Sequence, residues 1–296
     1  MYLLLVAAAA LGAASAAPLP CNGHPDLCGR AYDTVSYATT HNAMSSSEAR
    51  FIAPNQMNGI VHQLDDGIRA LMLDVHDENG QVLLCHGPCQ FGSMPLTVAL
   101  TEIRDWLDEN PREVVTFILE NYVTPDQLAQ SFTESGLLDY CHRQPKGTPW
   151  PTLDSMIDSG RRLVVFTDDG SGGHTWLHPV WDYAWDTDWN IKQVEQFDCE
   201  PNRGKAGNSL FILNHFITNP LPFRWTARGA NAEEVLYTRA RECAEARGQL
   251  PNFVTVDFYE EGDVLKVVDQ LNGVDTGHGL AAFTMPVATM LPVAIE

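Results

Sequence analysis

The sequence predicts an α/β fold, a TIM-type (β/α)8 barrel in a single domain that can be distorted or incomplete. Three observations lead there. Short, β-rich apolar runs recur along the chain, and each turns polar at its C-terminal end. Helical stretches separate several of them, and near-continuous apolar strands alternating with helices make a parallel sheet covered on its faces. Polar residues collected at strand C-termini are what a barrel uses to build its reactive rim. An open doubly wound sheet also places its site at that edge, but no glycine-rich phosphate loop follows the first strand here.

In chain order, residues 1–16 carry an apolar run that closes on Ala14-Ser15-Ala16, an A-x-A-like cleavage site, and read as a signal peptide although no Lys or Arg precedes the run. Residues 17–32 form a Gly/Pro-rich loop flanked by Cys21 and Cys28, and the barrel is expected over 33–275. Its first strand, TVSYATTHN, ends in His41 and Asn42; IRALMLDVH ends in Asp74 and His76; QVLLCHG ends in His86. TVALTEIRDWLDENPRE has Val98, Ile103, Trp106 and Leu107 at helical spacing and stops at Asn110-Pro111. EVVTFILEN ends in Glu120, and TPDQLAQSFTESGLL starts with a Thr cap and Pro and ends at Gly136. RLVVFTDDG ends in Asp168 and Asp169, which read as turn capping. Trp181, Trp185 and Trp189 recur every four residues and predict a helical packing stripe, with a membrane-interface wedge as the functional alternative. SLFILNHF ends in Asn214 and His215, a helix runs from an Asn231 cap to Gly248, and NFVTVDFYE carries Asp257. Residues 276–296 are apolar and read as a docked terminal segment.

The 296 residues, 45% of them hydrophobic, suffice for a sizeable core. With 18 basic against 38 acidic residues the formal net charge is −20, which repels nucleic acid and anionic membranes at long range. No nucleic-acid partner is expected. Seven cysteines and the leader point to a secreted, extracellular protein. Cys21 with Cys28, and Cys85 with Cys89, suggest two local disulfides; Cys141, Cys199 and Cys243 leave one thiol over.

Gathered at one rim, His41, Asn42, Asp74, His86, Glu120 and Asp257 form a chemical set. A histidine pair moves protons in both directions near neutral pH. Asn42 and the acids are hard oxygen donors, suited to calcium or magnesium rather than zinc. Acids alone would repel an anionic substrate; with a cation, the site becomes an anion binder with an acid–base pair, the logic of phosphodiester cleavage. His76 and His215 fall where substrate would sit. No Lys or Arg is evident at the rim to clamp a charged headgroup. His24, His62, His142, His174, His178 and His278 read as surface or capping residues.

The motifs CNGHPDLC, THN, QLDDGIRALMLDVH, LCHGPC, NPREVVTFILEN, SGRRLVVFTD, LNHF and NFVTVDFY together resemble the phosphatidylinositol-specific phospholipase C X-domain family of PLC-like phosphodiesterase barrels, over Cys21 to about Gly273. The resemblance implies that His41 and His86 are the first and second catalytic histidines. It implies that Asn42, Asp74 and Glu120 occupy metal-site positions of the calcium-dependent branch. Asp257 matches the carboxylate that orients the first histidine in the metal-independent branch. Two positions depart from the pattern: Met72 stands where the calcium branch has an acid, and His76 where the metal-independent branch has an arginine. A metal site would then have one protein ligand fewer, with water or Asp77 in its place. The implied cofactor is a divalent cation, Ca2+ first, with Mg2+ or none as alternatives. The implied partners are a phospholipid or other phosphodiester and a transient membrane contact, for a monomeric enzyme. In the implied reaction a hydroxyl next to the phosphate attacks phosphorus, giving a cyclic phosphate. The alternatives are a glycerophosphodiester phosphodiesterase or phospholipase D-like enzyme on choline lipids, and a catalytically decayed binding scaffold.

Overall fold

The structure, a computed structural model, describes residues 19–274; the leader, the segment 276–296 and His278 lie outside the described residues. In chain order the elements are β1 (Tyr37–Thr40), α1 (Ile60–Asp65), β2 (Ala70–Glu78), β3 (Gln81–Cys85), β4 (Ser93–Pro95), α2 (Leu96–Glu109), β5 (Val115–Asn121), α3 (Pro125–Glu134), α4 (Leu153–Asp158), β6 (Leu163–Thr167), β7 (Leu177–Pro179), α5 (Val180–Tyr183), β8 (Ala184–Asp186), β9 (Leu210–Asn214), α6 (Arg224–Ala230), α7 (Glu233–Arg247), β10 (Phe253–Val256) and α8 (Val264–Asn272). Eight strands pair in parallel in the order β7-β6-β5-β2-β1-β10-β9-β8. β7 and β8 end that path without pairing to each other, so the barrel is incomplete and open at this seam.

Strand alternation sorts the sequence into two layers. Leu71, Leu73, Phe117, Leu119, Phe211, Leu213, Val254 and Val256 point outward and pack with the helices in one cluster. Ala70, Ile118, Val164, Phe166, Ile212 and Phe253 point inward and fill the barrel with Tyr32 and Trp150. The inward series on each strand then continues, at the C-terminal end, into the polar rim. A core filled by apolar side chains from all the parallel strands but β7, capped by polar ones, is the packing of a TIM-type barrel rather than a pore.

Helix signals worked where caps are local. α3 begins with a capping box between Thr124 and Gln127 and carries Pro125 in its first turn. α2 ends at Asn110. α7, however, is preceded by Ala232, while Asn231 ends α6 and turns its amide onto the Asp257 and Phe258 carbonyls.

Two expectations are corrected. QVLLCHG is not a barrel strand: β3 runs antiparallel to β2 and continues into β4 as a side ribbon. The tryptophans do not form a helical stripe either. Only one turn, α5, lies between the short strands β7 and β8; Trp185 sits on β8 and stacks on Phe211, with ring centroids 3.9 Å apart. A four-residue spacing fitted a helix, but pairing of β8 with β9 fixes the backbone as extended.

The chain between β8 and β9 forms a strap at the rim that folds back onto β8 and reaches α7. Gly204 pairs with Trp185 at φ 76°, and a Cβ there would meet the Ala184 carbonyl oxygen at 2.2 Å, so only glycine fits this approach. The Cys199–Cys243 disulfide ties the strap to α7. Its sequence separation of 44 corresponds to about 4 kcal/mol in the loop-closure model. Cys21–Cys28 and Cys85–Cys89 are also bridged, and Cys141 is the free, buried thiol. Among the described residues no helix is long and apolar enough to cross a membrane.

Candidate active site

A cavity of about 640 Å³ opens at the C-terminal rim, lined by His41, Asn42, Asp74, His76, His86 and Glu120 among others. Strand register explains which of these meet. Thr40 on β1 pairs with Val256 on β10, so the next residues, His41 and Asp257, lie side by side. His41 Nδ1 lies 2.9 Å from Asp257 Oδ1, and Asn55 Nδ2 donates to the same oxygen at 2.9 Å. Asp257 is 3% exposed, behind the histidine. Phe216 stacks on the His41 ring with centroids 3.8 Å apart and planes 9° from parallel. Gln56 Nε2 donates to the His41 carbonyl at 2.8 Å. The imidazole is thus fixed in orientation, with Nδ1 turned to the carboxylate and Nε2 left for chemistry.

His86 stands on the β3–β4 side ribbon, at the end of β3. It lines the cavity and remains exposed to solvent at its mouth. Desolvation first, then the neighbouring His41, push its pKa below the usual histidine value. In the free protein it is therefore readily neutral at pH 7, and a negative substrate would draw a proton back onto it.

Three acids sit on adjacent strands. Asp74 on β2 pairs with Glu120 on β5, and Leu119 pairs with Thr167 on β6, which puts Asp168 at the level of Glu120. Asp74 is 7% exposed and has no hydrogen-bond partner among the described residues. Burial, then Glu120, then Asp168 hold its carboxyl well above the usual carboxylate range. A buried acid without donors, beside two more acids, is a hard oxygen set that fits a divalent cation. Asn42 lines the same cavity at φ 47°, which breaks the β1 alternation and returns its side chain to the rim. Among the described residues the three acids do not bring their oxygens within 4.8 Å of one another, so the trio is not a preformed cage. Asp77 is not part of it: its carboxylate accepts from Gly80 N and Gln127 Nε2 in the β2–β3 turn.

The remaining candidates divide. His76 lines the cavity and stacks on Tyr122 with centroids 4.5 Å apart, its Nε2 buried without a partner. His215 is corrected. It is fully buried behind β9, Nε2 facing the Ala230 carbonyl and Nδ1 accepting from Arg239, and the residue before it, Asn214, faces the cavity instead. One residue along a strand reverses the side, and the polar ending of SLFILNHF did not reveal which of the two points inward. His178 is likewise buried rather than superficial, between the Val165 carbonyl and Gln144 N.

Cations also reach the cavity: Lys192 and Arg203 line it from the strap, where no strand pattern could have announced them. Arg203 is paired through Nε and Nη2 with the fully buried Asp186 and lies over Trp181 at 4.6 Å. Asn55, which holds Asp257, was also missed; it lies outside the strands, with no periodic signal around it. Asp168, whose sequence suggests turn capping, ends its strand as Asp74 and Glu120 do and lines the same cavity.

The family model for PI-PLC X matches residues 27–272. The chain belongs to the PI-PLC X family. A PI-PLC X domain-containing protein of Arabidopsis thaliana is 32% identical over 279 residues, covering 83% of this chain and 63% of its own length. PI-PLC X domain-containing protein 1 of Arthroderma benhamiae is 31% identical over 288 residues, with 88% and 92% covered. An uncharacterized secreted protein of the same fungus is 30% identical, with 86% and 64% covered. The chain thus spans just under two thirds of the length of the Arabidopsis protein and the secreted fungal one. A mutant phosphatidylinositol-specific phospholipase C from Staphylococcus aureus superposes with a TM-score of 0.57 at 12% identity, over 82% of this chain and 93% of that one. That likeness is one of fold: the PI-PLC X chain described here shares the barrel of the bacterial phospholipase.

Proposed function

We propose that this PI-PLC X protein is a secreted phosphodiesterase that cleaves a phospholipid headgroup by intramolecular attack on phosphorus. The observation that carries the reading is the Asp257–His41 hydrogen bond opening onto the cavity that also holds His86. His41 Nε2 takes the proton from a headgroup hydroxyl next to the phosphate, while Asp257 and Asn55 keep its ring oriented. The hydroxyl oxygen bonds to phosphorus as the bond from phosphorus to the leaving alcohol breaks. His86 gives its proton to that alcohol oxygen, and a cyclic phosphate remains. A proton held on Nε2 of His41 then serves the slower opening of the ring by water.

Asn42, Asp74 and Glu120, with Asp168, would hold a divalent cation, Ca2+ in the first instance. Bound there, it would supply positive charge against the phosphate and ease ionisation of the attacking hydroxyl. His76 and Tyr122 form a stacked wall that would face the headgroup, and Lys192 and Arg203 add positive charge from the strap. The three disulfides and the secreted fungal relative support an extracellular protein.

The test is turnover of phosphatidylinositol vesicles with calcium and with chelator, comparing wild type with His41→Ala. Cyclic inositol phosphate that disappears with the substitution supports the reading. Turnover that survives His41→Ala refutes it, and the chelator arm decides the cation.

A further inference from the structure

We infer that the Cys85–Cys89 disulfide is the positioning device for His86, an inference that rests on the proposed acid role of that histidine. The two histidines are held very differently. His41 has Asp257, Asn55 and Phe216 around its ring. His86 has no hydrogen-bond, ion-pair or ring partner among the described residues. No polar or ring contact of its side chain holds it in place, so its backbone carries that task.

That backbone is a five-residue ring, Cys85-His86-Gly87-Pro88-Cys89, closed by the bridge with Cα atoms 5.0 Å apart. β3 leaves its pairing with β4 at Cys85, opposite Ser93, one residue before His86. Gly87 then turns at φ 66°. On the far side the chain is anchored again: Ile52 N donates to the Phe91 carbonyl at 2.6 Å, and Gly92 packs against Phe51, where a Cβ would lie 2.4 Å from Cγ. The disulfide joins the end of β3 to that anchored turn. Without it, a glycine and a partnerless histidine would lead a loop free to sample many conformations.

Reduction is the direct perturbation. An external dithiol such as dithiothreitol attacks the sulfur of half-buried Cys89 as a thiolate, expelling the Cys85 thiolate. Its second thiol then closes the reagent's own disulfide and releases Cys89 as a thiol, so two electrons pass from the reagent to the bridge. A 1 Å misplacement of a reacting group can cost about 100-fold, so kcat is expected to fall by about 10- to 100-fold with KM within about twofold.

The experiment compares wild type, reduced and reoxidised wild type, Cys85→Ser/Cys89→Ser, and Cys21→Ser/Cys28→Ser as a remote-bridge control. Folding is followed by circular dichroism. The expected result is loss of kcat in the reduced and Cys85→Ser/Cys89→Ser proteins, recovery on reoxidation, and little change in the control. Equal kcat in a folded Cys85→Ser/Cys89→Ser protein overturns the inference, as does an equal loss in the control. A readout independent of turnover is the His86 amide order parameter, expected to fall from the rigid range near about 0.85 to below about 0.6 when the bridge is opened. An unchanged order parameter overturns the inference. Absence of wild-type turnover refutes the functional reading and leaves this measurement to decide the role of the bridge.

Discussion

Asp74 offers the sharpest test of the cation site, because its surroundings make opposite demands with and without an ion. Its carboxylate is buried, lacks donors and faces Glu120 and Asp168. Asp74→Asn keeps the shape, removes one of the three charges and removes a hard anionic ligand. With calcium binding at a Kd of about 10⁻⁴ M, as is common for extracellular sites, about 10 mM calcium adds about 2.7 kcal/mol of stability by linkage. In a chain of this size that is a rise in Tm of about 4–5 °C. Thermal unfolding followed by circular dichroism, in calcium and in chelator, reads it directly. Wild type should show the rise. Asp74→Asn should show almost none, and in chelator it should melt at or above wild type, since a repulsion has gone. A rise of equal size in both proteins places the ion elsewhere, and no rise in wild type refutes the site.

Three further outcomes follow from the geometry. Because burial and His41 depress the pKa of His86, the protonated acid is lost early as pH rises, so kcat/KM should peak on the acid side of neutral; a plateau through pH 8 on a pH-rate profile contradicts the assignment. Asp257→Ala should lower kcat by about 10²–10⁴-fold, since the His41 ring loses its orienting acceptor, and should destabilise by about 1–3 kcal/mol by stranding Asn55 Nδ2, measured by urea unfolding; a fall in kcat below tenfold sinks it. Burial pushes His178 down to about 4 from 6.5, so the unfolded chain takes the proton first: its contribution is complete above pH 6.5 and is lost as pH falls to about 4, by about 3 kcal/mol. His178→Gln should flatten the acid limb of the stability profile, and an unaltered limb refutes the assignment.

The fold was legible because its strands repeat one physical pattern. β2, β5 and β6 are near-continuous apolar runs, and such runs are stable only when both faces are covered. The site was legible where the same alternation continues past the apolar part, as in Asp74, Glu120 and the start of the rim at His41. It failed where structure is set by contacts remote in sequence. His86 rises on a ribbon whose antiparallel direction depends on a turn at Asn79-Gly80, not on its own apolar run. His215 and Asn214 differ by one step and are both buried; Asn214 lines the cavity, while His215 meets Arg239 on α7 and the Ala230 carbonyl, contacts remote in sequence. Lys192 and Arg203 come from a segment without periodicity, held by Gly204 and a disulfide between residues 44 apart.

The unpaired edge between β7 and β8 divides the labour of the protein. The groups assigned to proton transfer and to the cation stand on or just after β1, β2, β5, β6 and β10 and the ribbon attached to β2. The strap between β8 and β9 supplies Trp189, Lys192 and Arg203, and it is held to β8 by the Arg203–Asp186 pair and the Gly204 contact and to α7 by the disulfide and by Arg239 and Arg247. Its inner end is built into β8 through Asp186, whereas Trp189 and Lys192 make no hydrogen bond to a strand among the described residues. Under the proposed phosphodiesterase reading, the proton-transfer groups and the cations at the mouth of the cavity thus stand on separate parts of one chain.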